Sequence, residues 1–329
     1  MEHKKNAQYI ENFESNKEKN IKQIEKLKNN IWVKNEFSEK VLVGASGSDA
    51  RLENAFVDTE LVSPLELMIF HNNVYNLKDA YEVSDDVKRV FGDYLESVNV
   101  SDESNLLIIK NMGLFSPGRV LDFNPVAGNE ELYLRRLSQI YDRITSKSGK
   151  KDIEKMKNLV DEHGHIMMSG EQERHLRSQK HYDLETGQVY YNPLKDISKN
   201  GVNPQTWSFK QGPIRYIQNS IYRDIYRLIR DRALDENAMR QIPKNTVDRL
   251  DFLDSTGTKQ IDASLLSDIK DNYMFFLDLY QQSQKNFTKN NSNILVVDKN
   301  EMVERLARLR DSWGKQKNKN HPYWFHKNN

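Results

Sequence analysis

The stretch "VLVGASGSDARLENAFVDTELV", residues 41–62, decides how the chain is read. An apolar, β-branched run ends in a small-residue turn at Gly47 and Ser48, and ten positions after Ser48 a second apolar run holds Asp58, Thr59 and Glu60. As a strand, this second run points Asp58 and Glu60 to one face and Val57, Thr59 and Leu61 to the other. Two carboxylates so close repel each other unless a cation lies between them, and unpaired burial would force a proton onto one. Hard oxygen ligands in this arrangement suit a divalent metal, with Mg2+ keeping some waters and taking the rest of its shell from phosphates. The Gly47–Ser48 turn offers the complement, free backbone N–H groups at a helix start and a hydroxyl suited to a triphosphate. Either half alone reads as a surface strand or an ordinary turn; their order and spacing point to chemistry.

A chain of 329 residues is long enough for two domains, or for one with a large helical extension. Its 49 Lys and Arg against 48 Asp and Glu leave a formal charge of +1, so there is no strong nucleic-acid signal and no pull toward anionic membrane. Any polyanion must be held by a local site. The absence of cysteine removes disulfides, thiolate nucleophiles and Cys-ligated metal centres. With no long apolar run and no signal-peptide centre in "MEHKKNAQYIENFESNKEKNIKQIEKLKNN", the expectation is a soluble, cytoplasmic chain without a membrane partner. A secreted effector acting in a host cytoplasm would read the same way.

Ile10, Phe13, Ile21, Ile24 and Leu27 recur at helical spacing and predict an amphipathic helix over 8–30. Short apolar runs at 40–44, 57–62, 65–70, 105–110 and 118–123 predict strands. Between them "SDDVKRVFGDYLESV" predicts a helix capped by Ser84, with Val87, Val90, Tyr94 and Leu95 on one face. After Pro125 the pattern turns helical: 129–146, 150–162, 170–180, 213–233, 261–285 and 299–315. The polar stretch 183–206 predicts a long loop. "TSKSGKK" has linker composition, so the expected division is an N-terminal helix over 1–35, a sheet-bearing domain over 36–147 and a helical domain over 148–329.

Apolar strand, Gly-Ser, nine intervening residues and acid-x-acid together resemble the signature of the DNA polymerase β-like nucleotidyltransferase superfamily. "GSDARLE" also looks like its Gly-Ser-x-x-Arg-x-Glu variant, with Arg51 and Glu53 in place. "GRVLDFNPVAGNEELYLRRL" is similar to a segment of the PII uridylyltransferase and glutamine synthetase adenylyltransferase branch. It matches at Asp122, Pro125, Gly128 and Leu132 and departs at Asn124 and Asn129, where that branch has Arg and Asp. "FKQGPIRYIQNSIYRDIYRLIRD" resembles the same branch's Lys-x-Gly-Pro-Gly-Gly-Leu-Arg-Asp-Ile element through Lys210, Gly212, Pro213, Ile214, Arg215 and Ile217, without its glycine pair and with Tyr216 for Asp. The three motifs, in order, cover roughly residues 40–235; residues 236–329 match none of them.

The resemblance implies an α+β nucleotidyltransferase fold, a mixed sheet with flanking helices followed by a helical domain. The activity it implies is transfer of AMP or UMP from ATP or UTP to a protein hydroxyl, with Mg2+ as cofactor. Asp58, Glu60 and Asp122 would be both the catalytic and the metal-ligating carboxylates, with Asp122 acting as base or orienting the nucleophile. Gly47 and Ser48 would cradle phosphates, with Arg51, Lys210 and Arg215 as charge partners. Two alternatives stay open: a small-molecule nucleotidyltransferase, and a non-catalytic module of the same fold that senses nucleotide or binds protein. Other signals read as structure. His163 and His165 beside Asp161 flank a helix-end Gly, "YMFFLDLY" at 273–280 reads as core, and the aromatic tail "HPYWFHKNN" reads as a docking segment.

Overall fold

The computed structural model describes residues 2–30, 39–58, 60–62, 65–71, 82, 85, 95–102, 121–147, 166–167, 190–191, 214–256, 263–290, 301, 304, 305 and 308. The chain is a mixed α/β protein, mostly helical, with a small sheet. It divides into two compact units: Glu11–Lys150 with Tyr226–Phe252, which hold the sheet, and Met1–Ile10 with Lys151–Ile225 and Leu253–Asn329, whose described residues are mainly helical. The cuts fall between Ile10 and Glu11, Lys150 and Lys151, Ile225 and Tyr226, and Phe252 and Leu253. The expected helical domain over 148–329 is not one segment, because Tyr226–Phe252 belongs with the sheet.

Four strands make the sheet: β1 (Val41–Ala45), β4 (Leu65–His71), β5 (Leu95–Asp102) and β6 (Asn124–Gly128), in the order β5-β4-β1-β6. The fully buried β1 suits its unbroken apolar sequence, and it runs antiparallel to both neighbours, with Val43 opposite Ile69 and Ala45 opposite Asn124. β4 and β5 are parallel. Two glycines let the backbones approach. A Cβ at Gly44 would lie 2.2 Å from the Phe123 ring, and Gly128 holds φ +111° where a Cβ would meet the Val41 carbonyl. Phe123 in turn packs edge-on against Phe70, with ring centroids 4.6 Å apart.

Helix α1 (Glu2–Asn30) is longer than predicted, and its buried face is rotated. Phe13, Asn16, Asn20 and Leu27 are buried in the sheet unit, whereas Ile10 and Ile21 are 39% and 41% exposed. The two asparagines tolerate burial because they are bonded: Asn20 Nδ2 donates to the Asn16 carbonyl at 2.8 Å and to the Asn54 carbonyl at 3.2 Å. The short helix α2 (Gly47–Ala50) follows β1 directly. Asn129, where the resembled branch has Asp, is the N-cap of α3 (Glu130–Thr145) and accepts from the Glu131 N–H at 3.0 Å, so the amide serves the cap as a carboxylate would. α3 packs Leu132, Tyr133, Leu137, Ile140 and Ile144 inward, against β1, β4 and β6. α5 (Glu236–Arg240) and α6 (Thr246–Ser255) were not foreseen.

Three strand and helix expectations need correction. The run 57–62 is not one strand but a tight hairpin, β2 (Phe56–Val57) and β3 (Glu60–Leu61), with Val57 opposite Glu60. Leu121 and Asp122, expected on a strand over 118–123, are instead a helical residue and the turn that leads into β6. The end of the helix expected over 84–98 is occupied by β5, whose Val98 and Val100 alternate with polar residues. The strand expected at 105–110 and the helices expected at 150–162 and 170–180 lie outside the described residues.

In the helical unit, α4 (Arg215–Arg230, which runs on into the sheet unit) buries Ile217, Ile221 and Ile225 as its spacing predicts. α7 (Ala263–Asn290) buries Tyr273, Phe275, Phe276, Leu277 and Leu279, in accord with the core reading of 273–280. Gln218 joins the two by donating to the Tyr273 hydroxyl at 2.9 Å. Within the expected loop over 183–206 lies β8 (Tyr190–Tyr191), which pairs antiparallel with β7 (Ile166–Met167). Arg305 lies 4.0 Å over the Phe275 ring and pairs with Asp271 at 2.8 Å, and Tyr9 donates to the same carboxylate. No described helix is long and apolar enough to cross a membrane.

Candidate functional site

The turn after β1 is built by short-range bonds. Gly47 takes φ +58°, the Gly47 carbonyl accepts from the Arg51 N–H at 3.2 Å, and the Ser48 carbonyl accepts from the Glu53 N–H at 3.0 Å. This bend turns Arg51 and Glu53 inward, where each is 3% exposed. Arg51 donates through Nε to Glu53 at 2.7 Å and through Nη1 to Asp122 at 2.6 Å. Two of the separated motifs thus meet side chain to side chain. Gly44 makes this possible: the absence of a Cβ lets Phe123 settle onto β1, and Asp122 precedes Phe123.

Arg249 of α6 completes the cluster. Its Nη1 donates to the second Asp122 oxygen at 2.5 Å, its Nη2 to the Leu121 carbonyl at 2.9 Å and its Nε to the Pro243 carbonyl at 2.6 Å. The Thr246 hydroxyl donates to Glu53. Asn245 caps α6 by accepting from the Val247 N–H at 2.9 Å, while its own amide donates to the Arg51 carbonyl at 2.8 Å. Two guanidinium groups and two carboxylates therefore share one buried, charge-balanced arrangement, the condition under which ion burial is tolerated. Beside it, Lys244 Nζ donates to the Tyr133 hydroxyl at 2.6 Å and to the Leu121 carbonyl at 3.2 Å. Burial, and next the neighbouring Arg249 charge, push the Lys244 ammonium down to about 7 against a partial lift from Asp122. Burial pushes the Tyr133 phenol upward.

The other expected site residues are placed differently. Asp58 stands exposed at the hairpin turn with φ +54°, and its carbonyl accepts from Lys19 Nζ at 2.9 Å. The hairpin breaks the alternation on which the pairing of Asp58 with Glu60 rested: Glu60 lies across the turn, on β3, and its side chain is outside the description. Asp122 commits both oxygens to arginine, so a metal ion there would have to displace one of them. Among the described residues no three His, Cys, Asp or Glu are grouped to hold a cation. As arranged, Asp122 does not fit the metal role. Arg51, expected to face phosphate, is instead the bridge between Glu53 and Asp122. Ser48 is partly exposed, Arg215 opens α4 with its side chain outside the description, and Lys210 lies outside the described residues. His163 and His165 do as well.

The sequence reading missed Lys244, Asn245, Thr246 and Arg249. A signal was there: "PKNTVDRL" places Asn245 as an N-cap before an apolar-spaced run, with Asp248 three residues on, an acidic first turn. The chain matches no family model, and no curated protein is similar to it.

Proposed function

We propose that the chain is a protein of the nucleotidyltransferase fold that binds a nucleoside triphosphate beside the Gly47–Ser48 turn and transfers AMP or UMP to a protein hydroxyl. The observation that carries this reading is the junction of the Gly-Ser motif with Asp122, through Arg51, across 71 residues of sequence. Two motifs of one resemblance, read separately, converge on one side-chain cluster beside the central strand. In this reading Arg51 and Arg249 supply the positive charge at Asp122, and no cation is assigned to that carboxylate. Ser48, partly exposed at the turn, is the phosphate-facing hydroxyl.

The double arginine clasp on Asp122 favours a second reading, a non-catalytic module that keeps the fold for sensing nucleotide or binding protein. One experiment separates the two. The full chain is incubated with Mg2+, a cell lysate and each α-phosphate-labelled triphosphate in turn. Label in a protein band supports the transferase, label in a small product supports a small-molecule acceptor, and no transfer with retained triphosphate binding supports the module. A chain that neither binds nor transfers any triphosphate overturns the nucleotide reading.

A further inference from the structure

Among the described residues, Arg51 and Arg249 are balanced by Glu53 and Asp122, which leaves the ammonium of Lys244 as surplus positive charge in the same cluster. The groups that face it are Arg249 and Asp122 from the clasp and the Tyr133 phenol from α3. No carboxylate lies within ion-pair distance of Lys244 among the described residues. An ammonium carries three N–H donors, of which the Tyr133 oxygen and the Leu121 carbonyl take two. Tyr133, accepting from lysine, has its own O–H still to donate. Two unspent donors thus sit 2.6 Å apart on neighbouring atoms, beside a charge that burial makes costly. Lys244 is partly exposed, whereas Tyr133 is buried beneath it at 6%.

We propose that Lys244 and Tyr133 form a binding subsite for a phosphate-class oxyanion. Two adjacent donors and a cation with no paired carboxylate among the described residues are the elements of such a site. The lysine is held to about 7 by burial and by Arg249, so just above neutral pH it is largely deprotonated. An arriving oxyanion supplies the missing counter-charge and draws the proton back. Binding is therefore coupled to proton uptake and weakens as pH rises. The choice of phosphate over carboxylate rests on the nucleotide-binding reading; the existence of the subsite does not.

Inorganic pyrophosphate is the probe, titrated into the full chain by calorimetry just above neutral pH in two buffers of different ionisation enthalpy. Proton uptake is the expected result, with affinity falling at least about tenfold in Lys244→Met. Because one variant can alter the fold, the parent protein is also treated with an amine-selective acetylating reagent and mapped by mass spectrometry. Lys244 should react faster than the surface lysines, and pyrophosphate should protect it. Absence of binding, binding without proton uptake, or reaction at Lys244 that pyrophosphate leaves unchanged overturns the subsite. Protection of Lys244 in a chain that binds and transfers no triphosphate keeps the subsite and removes the nucleotide reading. Transfer without protection does the reverse.

Discussion

Each unit of the molecule holds a carboxylate clasped by arginine, and the two clasps are built on different terms. In the sheet unit the Asp122 side chain is 3% exposed and receives Arg51 and Arg249 on separate oxygens. In the helical unit Arg305 lies over the Phe275 and Tyr9 rings and bonds to Asp271, whose side chain is 28% exposed, and to Glu301, whose side chain is 32% exposed. Water reaches the second pair of acids and screens them, so much of that clasp's worth lies in the apolar contact of the guanidinium plane. The first has no such reserve. Remove one arginine and a buried carboxylate must find a proton or another cation.

Arg249→Met should therefore give the largest effect, a loss of roughly 3–5 kcal/mol measured by urea unfolding, the range for breaking a buried pair. A loss below about 1 kcal/mol would show that solvent reaches Asp122. The expectation sharpens with the second partner: Asp122→Asn in the Arg249→Met background should recover part of the loss, since it removes the orphaned charge.

Lys244 gives the next effect, and its sign follows from linkage. The folded ammonium lies near 7, below its unfolded value, so the unfolded chain binds more protons across the interval between them. Stability should rise with pH from about neutrality toward the ordinary lysine range, where the cost of burying the charge disappears. Measured against Lys244→Met, which lacks the term, the gain should be of order 2 kcal/mol once partial exposure is allowed for. A pH profile identical in the two proteins would remove the cause assigned here.

The smallest effect belongs to the helical unit. Asp271→Asn keeps the shape of the group that Tyr9 and Arg305 contact while removing its charge, and should cost about 1 kcal/mol or less. The Tyr9 phenol, now pushed up to about 12 by burial and then by its bond to Asp271, should titrate at lower pH in that variant. Ultraviolet titration of the tyrosines would read the change. An unmoved titration would break the contrast between the two clasps.

How much of this was legible depended on range along the chain. β1 and the turn after it could be read because an apolar run, a glycine and a serine are neighbours. Asp122 could be picked out as an acid, yet its partner Arg249 stands 127 residues away on a helix whose own pattern gives no reason to single out that residue. β5 was misread because Leu95, with Val87, Val90 and Tyr94, also fits a helical period. The hairpin at Asp58 had a local signal that was outweighed: Asp tolerates a left-handed φ better than most residues, and two residues suffice to turn a chain between short strands. Alternation was assumed across a point where the chain reverses.

The placement of Asp122 also bears on time. Its bonds to Arg51 and Arg249 close loops of 71 and 127 residues, while the capping bonds at Asn129 and Asn245 span two or three. Helix ends can thus form early, from local sequence, but the clasp has to wait until β1, the turn before β6 and α6 have found one another. A clasp completed only after the folding barrier acts on escape from the native state, and Arg249→Met would then speed unfolding far more than it slows folding, a split that stopped-flow folding and unfolding rates would read. The cluster that marks the candidate site is then also the latch that sets how long the sheet unit stays closed.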